Sequence, residues 1–186
     1  PIVGEGIYRK WITLDEIETT VLEFDGIMWE SVIYVNGIKV GGCHFGYLSF
    51  EVDITEYVKK GENLIVIHAI VRPQCSRWYP GAGLYRNVHL IITRDAYVPE
   101  WGTYVYTKKL ADGYAWVETN VEFAFPENKE FADYRIVNEI HNPDGAVVLK
   151  DSKSGTPYDG SVFRMKSLVE NPQLWTPDTP YLYTLV

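Results

Sequence analysis

The chain has 186 residues, 46% hydrophobic and 23% charged, a globular composition with room for one large all-β domain or two ordinary ones. A net charge of −8, with no lysine or arginine run, leaves nothing concentrated enough to displace counterions from a phosphate backbone, so no nucleic-acid partner is expected. No apolar stretch reaches the ~20 residues of a membrane-spanning helix, so no membrane partner is expected, and two cysteines, Cys43 and Cys75, are too few for a disulfide framework.

The first half reads as strands and turns. Residues 7–14 (IYRKWITL) are aromatic and β-branched, and residues 20–24 alternate apolar and polar before the turn signal Asp25-Gly26. Residues 31–35 (SVIYV) run into Asn36-Gly37, and both of those residues tolerate the positive φ of a type I′ hairpin turn into residues 38–40. Residues 47–52 alternate again. Residues 53–61 form the one helical fragment, a single turn with Thr55 as cap, Glu56 in the first turn and Gly61 to end it. Residues 63–71 (NLIVIHAIV) are nearly all apolar and predict a strand buried on both faces, and residues 84–93 predict another that closes the first half.

The pattern lapses around residues 94–100, which sets the boundary between domains 1–95 and 96–186. Strand candidates in the second half are residues 103–108, 115–125, 134–141, 146–150 and 161–169, with turns at Asp112-Gly113, Pro126-Glu127-Asn128 and residues 142–145. Short, evenly spaced strands without a long helix point to an immunoglobulin-type sandwich. Residues 171–180 carry three prolines and read as extended, whereas residues 181–186 (YLYTLV) resume strand character, so the chain is expected to be cut there. It opens on Pro1-Ile2-Val3-Gly4 with no basic or apolar leader, which suggests a trimmed chain and leaves the compartment open.

Residue types alone give no catalytic constellation. His44, His68, His89 and His141 lack metal-ligand spacing, and His68 and His89 read as structural strand residues. Gly81-Ala82-Gly83 precedes a strand rather than a helix, so it is no phosphate loop, and none of the 25 acidic residues falls into a recognisable acid/base pair. No cofactor is expected. Residues 76–86 (SRWYPGAGLYR) do stand out. They form either a rigid loop, in which Arg77 or Arg86 stacks on Trp78 or meets a carboxylate, or a ligand-facing one, with arginine donating to hydroxyls and Trp78 offering a stacking face. The 15% aromatic content, with 14 Tyr and 6 Trp, suits sheet faces and sugar stacking alike.

Several motifs in order carry a family resemblance: Gly6-Ile7-Tyr8-Arg9-Lys10, Tyr34-Val35-Asn36-Gly37, Gly46-Tyr47, Asp53-Ile54-Thr55, Gly61-Glu62-Asn63, and Arg77-Trp78-Tyr79-Pro80-Gly81-Ala82-Gly83-Leu84-Tyr85-Arg86. Together they resemble the sugar-binding domain of glycoside hydrolase family 2, in its β-galactosidase branch. In the second half, Trp101-Gly102-Thr103 and the stretch from Asn171-Pro172 to Tyr181-Leu182-Tyr183 resemble the family's immunoglobulin-like domain.

The resemblance implies an all-β chain, a jelly-roll (galactose-binding-like) sandwich clipped at its front, followed by an immunoglobulin-like sandwich. It implies a parent that hydrolyses terminal β-galactosides or related β-glycosides with retention, by two glutamates on a (β/α)₈ barrel that would follow. This chain would then be non-catalytic, bracing that barrel and shaping its pocket, with the parent's carbohydrate as partner and a homo-oligomer possible. Arg77 and Trp78 are the substrate-binding candidates. Where relatives carry an Asp-Asn pair ahead of this loop, Ile70-Val71 stand here, and two apolar side chains cannot accept bonds from hydroxyls. Either the specificity has changed or the contact comes from elsewhere, so galactose is not fixed as the sugar. The alternatives from other classes are a stand-alone carbohydrate-binding module and an immunoglobulin-like adhesion protein.

Overall fold

A computed structural model describes residues 4–72, 81–94, 96–125, 133–157 and 162–186. It divides into two compact units, Pro1–Arg94 and Asp95–Val186. No α-helix occurs among the described residues.

The first unit contains β1 (Gly4–Leu14), β2 (Thr19–Phe24), β3 (Ile27–Met28), β4 (Glu30–Val35), β5 (Ile38–Gly41), β6 (Phe50–Asp53), a 3₁₀ turn (Thr55–Tyr57), β7 (Gly61–Val71), β8 (Gly83–Leu84) and β9 (Val88–Thr93). Two antiparallel sheets, β1-β7-β4-β5 and β6-β2-β9, accompany a short β3-β8 pair. Their inward residues form one core around Leu22, Phe24, Ile33, Ile54 and Ile67, with Phe24 stacked on Phe50 at 4.9 Å between centroids.

β7 departs from the expectation of burial on both faces. Asn63, Ile65, Ile67, Ala69 and Val71 are buried, but Leu64, Val66, His68 and Ile70 between them are only half-buried. The sheet is antiparallel and meets a second sheet on one face only. On the other face the half-buried residues are flanked in register by side chains of β1 and β4.

The Asn36-Gly37 turn has φ of 51° and 87°, as the hairpin requires. The Asn36 amide also donates to Tyr57 O at 2.9 Å and to Asn63 Oδ1 at 2.9 Å, and its oxygen accepts from Leu64 N at 3.0 Å. Asn63 is fully buried, and its amide also takes Lys59 N and gives to Lys59 O and Gly61 O. A buried amide is tolerated here because each of its atoms is paired.

Thr55 does not cap the helical turn. Ile54 occupies that position without a side-chain bond, and Asp53 Oδ1 instead accepts from Thr55 N at 2.8 Å and Thr55 Oγ1 at 2.6 Å. The Thr55 hydroxyl is then free to accept from Thr20 N at 3.0 Å, tying the turn to β2. Gly61 opens β7 rather than closing a helix. The strand expected at residues 47–52 begins only at Phe50. The one expected at residues 84–93 is interrupted, because Tyr85, Arg86 and Asn87 leave the ladder to bond Gly46 O, Asp25 O and Asp25 N respectively.

The second unit contains β10 (Thr103–Ala111), β11 (Tyr114–Glu122), β12 (Tyr134–His141), β13 (Val147–Gly155), β14 (Val162–Glu170) and β15 (Thr184–Leu185). Sheets β10-β11-β14 and β13-β12-β15 are both antiparallel. Their core falls into two clusters, one around Val121, Phe123, Phe163 and Met165, the other around Ala115, Ile140 and Val169. In the terminal stretch only Thr184–Leu185 forms a strand, followed by two backbone bonds between Val186 and Glu139. Tyr181 is held instead by the Thr176–Thr179 turn. The Pro126-Glu127-Asn128 turn lies outside the described residues.

Candidate functional site

Arg77 and Trp78, the substrate-binding candidates, lie outside the described residues, as does Cys75. The residues flanking that stretch are described on both sides. At the exit, Gly83 has φ of +77°, and a Cβ there would lie 1.9 Å from the Tyr8 hydroxyl. That hydroxyl accepts from Leu84 N at 3.3 Å, so β1 grips the end of the loop. Next along the chain, Tyr85 Oη donates to Gly46 O at 2.8 Å, and the Arg86 guanidinium lies 5.0 Å from the Tyr85 ring while donating to Asp25 O at 3.1 Å. Arg86 is therefore a structural arginine, anchored by a ring and a backbone carbonyl.

At the entrance, Arg72 pairs with Glu30 at 3.0 Å. Register sets Glu5, Ile70 and Glu30 in one row across β1, β7 and β4, so all three share a sheet face. His68 stands two residues along on that face and bonds Glu5 at 2.8 Å. Of the two apolar residues flagged in the sequence, Val71 points inward with 3% exposure, and Ile70 lies between two carboxylates. The hydrogen-bond acceptors beside Ile70 thus come from the flanking strands. Sequence reasoning missed Glu5, Glu30, Tyr8 and the His68 pairing because only strand register brings them together. The Pro-Gly-Ala-Gly run is the one signal that could have pointed to the positive φ at Gly83.

His89 lies 3.9 Å from Asp25, and Cys43 is a free thiol whose Sγ contacts Phe45 O at 3.4 Å. On the outer face of β10-β11-β14, Glu118 accepts from Lys108 at 2.6 Å and from Tyr106. The Lys108 bond, then the Tyr106 bond, hold the Glu118 carboxyl below its ordinary value, and the same contacts raise Tyr106 and Lys108. No group of three His, Cys, Asp or Glu among the described residues is placed to hold a metal ion. No helix there is long and apolar enough to cross a membrane.

The second unit also has a groove of about 570 Å³ walled by Val105, Leu110, Val169, Trp175, Leu182 and Leu185. No acidic residue lines it, so it offers neither a general acid nor a nucleophile for acetal cleavage.

The family model of the sugar binding domain of glycosyl hydrolases family 2 matches residues 2–94, and a second model, glycosyl hydrolases family 2, matches residues 97–186. The chain belongs to glycosyl hydrolase family 2. Within this family it is 35% identical to beta-galactosidase BoGH2A of Bacteroides ovatus over 98% of its own length and 22% of that relative's. It is 29% identical to a beta-glucuronidase of Formosa agariphila over 96% of its length and 21% of that protein. A crystal structure of a glycosyl hydrolase family 2 member from Bacteroides cellulosilyticus superposes with a TM-score of 0.90 at 32% identity, across 98% of this chain and 24% of that one. The chain thus spans about a fifth to a quarter of the family members it matches.

Proposed function

We propose that the chain is the non-catalytic N-terminal portion of a glycosidase that hydrolyses terminal β-galactosides or related β-glycosides. Its two units brace a catalytic barrel encoded elsewhere in the parent, and the loop carrying Arg77 and Trp78 forms one wall of the pocket. The observation that carries this reading is the tandem match of two family models over residues 2–94 and 97–186. Retaining cleavage needs two carboxyl groups about 5–5.5 Å apart across the scissile bond, and in this family's chemistry the barrel supplies them. The relatives are named as beta-galactosidases and beta-glucuronidases, and the Glu5–Ile70–Glu30 row in place of an Asp-Asn pair favours a sugar contact different from that of the β-galactosidase branch. A homo-oligomer of the parent is part of the same proposal.

The test is a reporter panel on the full-length gene product. Release of nitrophenol from a β-galactoside or β-glucuronide, with KM raised by Arg77→Ala or Trp78→Ala while the fold is kept, supports the reading. A full-length product inert on all β-glycosides, or loop variants without effect on KM, overturns the corresponding part.

A second reading is a carbohydrate-binding module. It is favoured by Trp116, 49% exposed and flanked in register by Lys109 and Leu168, with Tyr104 further along the same sheet face. Calorimetric titration of the chain with glycans separates the two, since micromolar affinity fits the module and millimolar or no binding fits the brace.

A further inference from the structure

The core of the second unit is not continuous. Its two apolar clusters are separated by a layer of three buried polar side chains, one from each of β11, β12 and β14. Thr119 (1% exposed) stands between Val117 and Val121, Asn138 (4%) between Ile136 and Ile140, and Ser167 (7%) between Met165 and Val169, counting alternate inward residues. The flanking residues of all three strands sort consistently. Val121, Met165 and Ile136 belong to one cluster, and Val117, Val169 and Ile140 to the other. The three polar residues therefore lie at one level of the sandwich. Thr119 and Ser167 are diagonal neighbours on β11 and β14, because Thr119 pairs with Met165 and Val117 with Ser167, and Asn138 faces them from the opposite sheet.

Thr119 Oγ1, Asn138 Nδ2 and Ser167 Oγ are all buried with no hydrogen-bond partner among the described residues. Leaving one such group unpaired costs about 1–3 kcal/mol, and three at one level is a cost that native cores rarely carry. We infer that this layer is an internal water-binding site, in which a bound water accepts from Asn138 Nδ2 and donates to Thr119 Oγ1 and Ser167 Oγ. Three bonds is the usual complement of a buried water, and the bond directions are compatible, since the amide nitrogen can only donate while either hydroxyl can accept. The layer lies one residue row from the apolar groove of this unit. Val117, Ile140 and Val169, each two residues from one of the three on the same face, line the apolar groove of this unit. A shared water also explains why polar residues persist on three different strands at one level, because it fixes the height at which the two sheets face each other.

The test needs no variant to begin with. In a high-resolution crystal structure of the chain, or in water-to-amide NMR cross-peaks, a water is expected within hydrogen-bond distance of Asn138 Nδ2 and of at least one of the two hydroxyls. A dry layer, or direct bonds among the three side chains, overturns the inference. Thr119→Val, Asn138→Leu and Ser167→Ala provide the second readout. Each alone is expected to lower the melting temperature, and the triple variant is expected to lose the water while melting higher than the sum of the single effects allows. Strict additivity with the water retained contradicts the site.

Discussion

Replacing Gly83 by alanine tests the anchoring of the candidate loop. Two terms enter. At φ of +77°, a Cβ is crowded by the backbone, which costs about 1–2 kcal/mol. That Cβ would also lie 1.9 Å from the Tyr8 hydroxyl, so the ring must swing away and release its bond to Leu84 N, a further loss of about 0.5–1.5 kcal/mol. The sum is roughly 2–3 kcal/mol, which for a unit of this size moves the melting temperature down by about 10–20 °C. Calorimetry of the single and double variants separates the terms. In a Tyr8→Phe background the hydroxyl is gone and the second term largely vanishes, so Gly83→Ala is expected to cost about 1 kcal/mol less there. A near-neutral Gly83→Ala, or an equal cost in both backgrounds, refutes the argument that β1 holds the loop through this contact.

Asn63→Ala leaves Lys59 N, Lys59 O and Gly61 O without their partner inside the first unit, and urea melts should show a loss of about 3 kcal/mol, with Asn63→Asp intermediate. The Glu118 carboxyl is held below its ordinary 4.5, so the folded chain binds fewer protons there than the unfolded one. Its stabilisation is complete above the ordinary value and fades as pH falls through the lowered one; Glu118→Gln should therefore flatten the acid limb of a melting-temperature profile, and an unchanged limb contradicts the assignment. Leu182 and Trp175 expose apolar surface at 72% and 57% beside the groove, so sedimentation velocity should show self-association that Leu182→Lys weakens. A monomer at every concentration contradicts that expectation.

Local chemistry was legible wherever it decides the backbone by itself. Asn36-Gly37 and Asp112-Gly113 were read as turns, and both take positive φ. What could not be read were features set by neighbours distant in sequence. An apolar run cannot say whether a second layer covers its other face, which is why β7 was expected to be fully buried. Thr55 has the side chain of a cap, but Thr20 N, 35 residues away, competes for its hydroxyl while Asp53 replaces it at the turn. In the candidate site the same rule applies. The aromatic and arginine content of residues 76–86 marked the loop, whereas the Glu5–Ile70–Glu30 row exists only through the pairing of β1, β7 and β4.

The most direct test of the account is to incubate the purified 186-residue chain with nitrophenyl β-galactoside and β-glucuronide at high enzyme concentration. On the proposed reading the carboxyl pair belongs to the barrel, so the expected result is no release above the buffer rate, alongside turnover by the full-length gene product. Sustained release by the chain alone, abolished by a single carboxylate substitution within it, would contradict the claim that its work is done for a neighbouring domain.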